Sequence, residues 1–455
     1  MGKMSTRALA LILCVLLTIL SGCTDVTEAP SEAPTLEASP SAAPPTPSEQ
    51  SLPSPSLSPS PSEPIAEVTI KNARKWNEFA RSYNEGMEAY ANPLTVIIDG
   101  QLDFGFARVD FVPLRRPFSG TIRGTTEVKG VTEQSVWSES LFPGSVGFHG
   151  NGFFNITSIE DAPGDLVKVY SNEAGFYLWD LWEKGELSLD DYIQGTEFAY
   201  ETSGGATGLF GIRCGDLTLE NLVFRGIRPD GLSHIIAMSV DSLTMRNIEI
   251  ADCSFSRSNA LLAGNAGRAQ MENLLVTRCN ITLMTSGGGL IVWVYENAAF
   301  SRVAVMLSDI VLIPDGGGSG YAMGKTALFA SYIGGEASFR QIEVYGCSMY
   351  SLNSVVLCQR YGNVTELSDI TVRSSSFLRF PANEGGVVLA PIENDLLFGS
   401  MMGTYDEWAP PAGQNILLRD SMFNARGSLD DYRAIGYVIE NCVSVTFVAE
   451  RPRWD

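Results

Sequence analysis

The chain has 455 residues, 31 Lys+Arg against 52 Asp+Glu, a formal net charge of −21 and only 2 His. Such acidity excludes a nucleic-acid binder, which needs a basic surface to displace counterions from phosphates. Eight Cys in this length exclude a disulfide-stapled mini-protein, a single long apolar run excludes a multi-span membrane protein, and 45% hydrophobic residues suffice for a sizeable core.

Residues 1–23 read as a leader. Lys3 and Arg7 precede an apolar run over 8–20 that is too short for a comfortable membrane span. The run ends Leu20-Ser21-Gly22-Cys23, which resembles the bacterial lipobox. The resemblance implies that Cys23 is lipidated, that cleavage falls before it, and that the mature chain sits on the outer face of the bacterial cell membrane. Several acyl chains on one residue meet the two-signal requirement for stable anchoring. The plainer alternative is a secretory leader with a chance Cys.

Residues 24–65 read as a disordered linker. Positions 24–64 hold 11 Pro and 10 Ser and no Lys, Arg, Phe, Tyr or Trp. That composition buries too little apolar surface to offset ordering, and favours an extended stalk. Such stalks resemble those of Gram-positive surface lipoproteins. Two cations in the leader and six acids in the stalk leave the remainder strongly acidic.

Residues 66–455 read as a repeat array. Segments starting at Asn221, Asn247, Asn273, Val303, Gln341, Asp369 and Asn415 align in one register, the first three 26 residues apart. Later steps lengthen, as loop insertions would make them. Apolar residues alternate within each unit (Leu243 and Met245 before the Asn, Ile248 and Ile250 after it), which is strand patterning. Asn suits the turn because it tolerates unusual backbone angles, and stacked copies would form a ladder. No unit buries its apolar face alone, so successive coils must stack. The expectation is an all-β right-handed parallel β-helix. A propeller needs four hairpin strands per blade, and a sandwich has no fixed period.

Ahead of the array, Asn72 is a candidate N-cap for an amphipathic helix carrying Trp76, Phe79, Ala80 and Tyr83, followed by a strand over Leu94–Asp99. Phe118-Ser-Gly-Thr-Ile-Arg-Gly124, Phe148-His-Gly-Asn-Gly152 and one Gly208-Leu-Phe-Gly211 come next. This order resembles bacterial surface β-helix proteins with the GLUG motif, within the pectate-lyase-like superfamily. The resemblance implies a short helix capping the N-terminal end of the coils, where it would blunt edge-strand pairing.

Two stretches interrupt the repeat, 163–206 and 380–413. They hold the candidate ligand-binding residues Trp179, Trp182, Asp190, Asp191, Tyr405, Glu407 and Trp408. Aromatic rings beside carboxylates suit a sugar, which offers an apolar face and hydroxyl donors. A simpler use of Trp179 and Trp182, three residues apart, is to fasten a helix onto the array.

Catalytic patterns are sparse. The adjacent pairs Asp190-Asp191 and Asp430-Asp431 point to opposite faces if they lie on strands. Glu249, Glu343 and Asp309 read as solvated residues from different columns. His149 and His234 are far apart in sequence and read as structural. Cys253, Cys279 and Cys347 share one register and read as stacked small core residues, with a Cys253–Cys279 disulfide as the alternative. Ser319–Thr326 lacks the leading Gly of a phosphate loop. No cofactor or metal is expected. The function expected is binding of a carbohydrate or a surface protein by a lipid-anchored ectodomain. A polysaccharide lyase or glycoside hydrolase is the alternative.

Overall fold

The structure, a computed structural model, describes residues 63–114, 116–126, 146–150, 208–211, 213–228, 234–258, 260–283, 289–312, 325–351, 353–379, 396–401, 411–424 and 427–445. The chain divides into two units, Met1–Pro61 and Ser62–Asp455, and every described residue lies in the second. Its class is all-β with parallel sheets. Among the described residues, strands far outnumber helices, and every strand pairing is parallel.

The repeat explains the pairing. Arg213–Arg225, Ala237–Ala251, Ala263–Thr277, Ala298–Met306, Ala330–Tyr345 and Cys358–Arg373 pair in chain order within a 15-stranded sheet. The alternating apolar positions fall in register. Leu219, Met245, Met271, Phe300 and Phe339 form one buried column, and Phe224, Ile250, Val276, Val305 and Val344 another. A second sheet of seven strands, from Ser254–Ser258 to Val443–Ser444, is also parallel throughout.

Each long strand bends where the sequence placed its Asn. Asn221, Asn247, Asn273, Gln341, Asp369 and Asn415 have φ between 54° and 59°, the left-handed region that Asn tolerates better than most residues. The expected ladder exists. Asn247 donates from Nδ2 to Asn221 Oδ1 at 2.9 Å, Asn273 to Asn247 at 2.7 Å, and Asn415 to Asp369 Oδ1 at 2.8 Å.

The fourth repeat begins one residue earlier than the sequence alignment placed it. Arg302, φ 55°, holds the turn, and Val303 pairs with inward Leu274. An Arg at the turn broke the polar-start rule, and the neighbouring apolar residue took its place in the alignment. The shift puts Ser308, not Asp309, in the cysteine column.

That column reads Cys253, Cys279, Ser308, Cys347, Ser375, Ser421 and Cys442. It follows a second left-handed turn carrying Asp252, Arg278, Leu307, Gly346, Ser374, Asp420 and Asn441. All seven donate S–H or O–H to the carbonyl two residues earlier. The serines also accept a backbone N–H from the preceding repeat: Cys279 to Ser308 and Cys347 to Ser375 at 3.1 Å, Ser375 to Ser421 at 3.2 Å. Cys253 and Cys279 are neighbours here, and both thiols are free.

The single Gly-Leu-Phe-Gly is one of a series. Leu209–Phe210, Ile235–Ile236, Leu261–Leu262, Leu328–Phe329 and Leu396–Leu397 are buried pairs at the start of the first, second, third, fifth and seventh repeats. Backbone hydrogen bonds join them, as Leu209 N to Ile235 O and Ile235 N to Leu261 O. The stretch 380–413 is likewise not all insertion. Phe398–Met401 pairs with the strand Cys358–Arg373 and completes the seventh repeat.

At the N-terminal end, Ile65–Ile70 pairs with Tyr90–Ile98, and helix α1, Ala73–Glu85, forms the crossover that parallel neighbours require. Asn72 caps it, accepting from Lys75 N at 3.0 Å. Trp76 is fully buried among Phe79, Phe111, Phe148 and Phe210, and its indole N–H donates to Val112 O at 2.9 Å. Asn77 holds the same segment, accepting from Val112 N at 3.0 Å. No helix among the described residues is long and apolar enough to cross a membrane.

Candidate functional site

Two columns face outward between the two turns of each repeat. One runs Val223, Glu249, Leu275, Ala304, Glu343, Thr371, Leu417, Val438; the other runs Arg225, Ala251, Thr277, Met306, Tyr345, Arg373, Arg419, Glu440. Burial changes along them. Val223, Glu249, Leu275, Ala304 and Met306 are buried, whereas Glu343, Thr371 and Leu417 are half-buried and Val438, Arg419 and Glu440 exposed.

The exposed end is a groove of about 760 Å³, within the range of ligand sites. The turn residues Arg302, Gln341, Asp369 and Asn415 form one wall, and Arg419 and Glu440 stand on the other. Its charges are engaged by neighbours in the adjacent repeat. Arg302 donates to Glu272 and Arg419 to Glu440, each at 2.5 Å; Arg373 pairs with Glu343; Asn415 donates to Asp369. Arg373 also lies 5.3 Å from the Tyr345 ring centre.

Glu249 overturns the solvated-face expectation. It shares a column with Glu343 and is only 2% exposed. Arg225 donates to its Oε1 at 2.5 Å, while Oε2 is buried without a hydrogen-bond partner. Burial raises the Glu249 carboxyl above its ordinary value, against the pull of Arg225. Three residues on, the two-point hydrogen bond from Arg278, 2.6 and 2.9 Å, lowers Asp252 below its own.

The sequence-derived candidates Trp179, Trp182, Asp190, Asp191, Tyr405, Glu407, Trp408 and Cys23 lie outside the described residues. Asp430 and Asp431 lie on a helix, Leu429–Ala434, not on a strand. Asp431 closes a capping box with Ser428, and Asp430 pairs with Arg433 at 2.6 Å. His149 and His234 are buried, and burial pushes the His234 imidazole down to about 3. Among the described residues no group of three or more His, Cys, Asp or Glu could hold a metal ion. The arginines of the outward column escaped the sequence reading although a signal existed. Arg225, Arg373 and Arg419 each follow the turn residue by four positions.

No family model matches this chain, and no curated protein or solved structure matches it. A groove of this make can hold a polar ligand through amide, guanidinium and carboxylate groups already fixed in place.

Proposed function

We propose that this chain is a lipid-anchored surface protein whose ectodomain is a right-handed parallel β-helix that binds a carbohydrate or a surface protein without turning it over. The helix reading rests on successive repeats pairing in parallel, in chain order, through two sheets. In it α1 covers the N-terminal end of the coils, as in the GLUG-type proteins the sequence resembles. The lipobox at Cys23 and the Pro/Ser stretch supply anchor and spacer.

The observation that carries binding over turnover is the pairing of the groove's charges. Glu343, Glu440 and Asp369 are each held by an Arg or Asn of the adjacent repeat. Such preorganised groups recognise a ligand at small reorganisation cost. The test is a glycan and surface-protein array paired with product detection on the same polysaccharides. Retention without products, weakened by Asp369→Ala or Arg419→Ala, is expected; turnover would overturn the reading. For the anchor, Cys23→Ser is expected to release the protein from the membrane fraction.

A further inference from the structure

A second surface lies away from the groove, on the first leg of the repeats. Trp293 is 43% and Tyr295 54% exposed; among the other described aromatic residues only Phe106, ahead of the repeats, is exposed. Their ring centres are 6.5 Å apart and tilted by 54°. Trp293 stands in register with Asn265 on one side and Tyr332 on the other, and Tyr332 with Arg360 beyond. Partial burial raises the Tyr295 phenol above its ordinary value, and the neighbouring Tyr332 adds to it.

The backbone keeps the neighbourhood of Tyr295 bare. A Cβ on Gly267 would lie 2.3 Å from Asp241 O, and one on Gly334 2.1 Å from Tyr295 O. Both positions must be glycine, so the two backbone positions beside the tyrosine carry no side chain of their own, and the Tyr332 ring reaches over Gly334. The result is an aromatic corner of three rings flanked by the bare backbone positions Gly267 and Gly334. Its rim carries the Asn265 amide, the Arg360 guanidinium, the tyrosine hydroxyls and the Arg268–Glu296 pair at 3.0 Å.

We propose that Trp293, Tyr295 and Tyr332 form a platform for a neutral oligosaccharide, with Asn265 and Arg360 bonding its hydroxyls. A sugar with equatorial hydroxyls presents a face of C–H bonds, which the negative face of an aromatic ring attracts. Hydroxyls at its edge can both donate and accept, matching a rim of amide, guanidinium and phenol groups. Charge favours a neutral occupant, because a chain of net charge −21 repels polyanionic glycans. The inference rests on the binding reading above but uses a different surface.

The test is titration of the intact protein with cellotetraose, with tetragalacturonate as the anionic control. Affinity is read by calorimetry and by tryptophan fluorescence. Saturable binding of cellotetraose is expected, with little of the tetragalacturonate. Trp293→Ala is expected to weaken it by about tenfold or more. Tyr295→Ala should weaken it several-fold, at an unchanged urea midpoint because both rings are exposed. Glu78→Ala, on the exposed face of α1 and outside both surfaces, should leave it unchanged. Absence of cellotetraose binding, or binding indifferent to Trp293→Ala, overturns the platform; a partner captured through the groove would then still uphold the binding reading. Cleavage of cellotetraose would overturn the binding reading, while weaker capture by Trp293→Ala would still support the platform.

Discussion

Ser308 offers the sharpest test of how the repeats are joined. The side chain is 3% exposed, accepts from Cys279 N at 3.1 Å and donates to Met306 O at 2.8 Å. Ser308→Ala strands the buried Cys279 N–H, while Met306 O loses its second donor but keeps the N–H of Arg278 at 3.0 Å. The stranded donor costs about 1–3 kcal/mol and the lost second bond to Met306 O about 0.5–1.5, so the variant should lose about 1.5–4.5 kcal/mol. Ser308→Cys keeps a donor for Met306 O and a weak acceptor for Cys279 N, in the manner of Cys253, Cys279 and Cys347, and should lose about 1 kcal/mol or less. The assay is urea unfolding followed by far-UV circular dichroism, comparing midpoints at constant slope. If the alanine variant loses under about 1 kcal/mol, or the cysteine variant is as unstable as the alanine, the column is mere packing and the reasoning fails.

Three further outcomes follow from the same geometry. Asn247→Ala should cost about 1–2 kcal/mol for its left-handed backbone and about 0.5–1.5 for each of two ladder bonds. Asn247→Gly should be spared the first part, which urea midpoints would reveal. Trp76→Phe should lose about 1–3 kcal/mol by stranding Val112 O, and Trp76→Ala about 3–5, seen as earlier thermal unfolding of the whole array. The buried His234 prefers its neutral form, so its contribution is intact above the ordinary value near 6.5 and is lost as pH falls from there toward 3. The loss is at most about 1.4 kcal/mol per pH unit, and His234→Gln should flatten that part of a stability–pH curve.

Much of this architecture is legible in the sequence because its turns are chemically marked. Asn221, Asn247 and Asn273 announce both the bend and the ladder, and Asn72 announces the helix that follows it. Legibility fails where a turn is filled by a residue with no turn preference. Arg302 adopts the same backbone as Asn273, but nothing in Ser301-Arg302-Val303 separates the turn from the residue after it. The apolar pairs related to Gly-Leu-Phe-Gly were hidden for another reason. Ile235–Ile236 and Leu261–Leu262 preserve burial, not identity. Ser428-Leu-Asp-Asp431 could have been read as a helix start from its spacing. The groove and the aromatic platform depend on which residues of different repeats become neighbours. Glu343 and Arg373, or Trp293 and Tyr332, are paired only once the lengths of the intervening loops are fixed.

The arginine–carboxylate pairs also divide the array unevenly. Arg246–Glu220, Arg278–Asp252 and Arg302–Glu272 rivet the first four repeats into one run, and Arg373–Glu343 and Arg419–Glu440 join the later ones two by two. Among the described residues, no such pair crosses the step from Arg302 to Gln341 or from Asp369 to Asn415, the two longest steps. Arg340 meets only the Ser301 hydroxyl there, and Asn415 meets Asp369. A pulling force or a protease would therefore find two seams in an otherwise continuous run of paired repeats. Both border the open groove, so whatever ligand spans Gln341, Asp369 and Asn415 would also act as a splint across them.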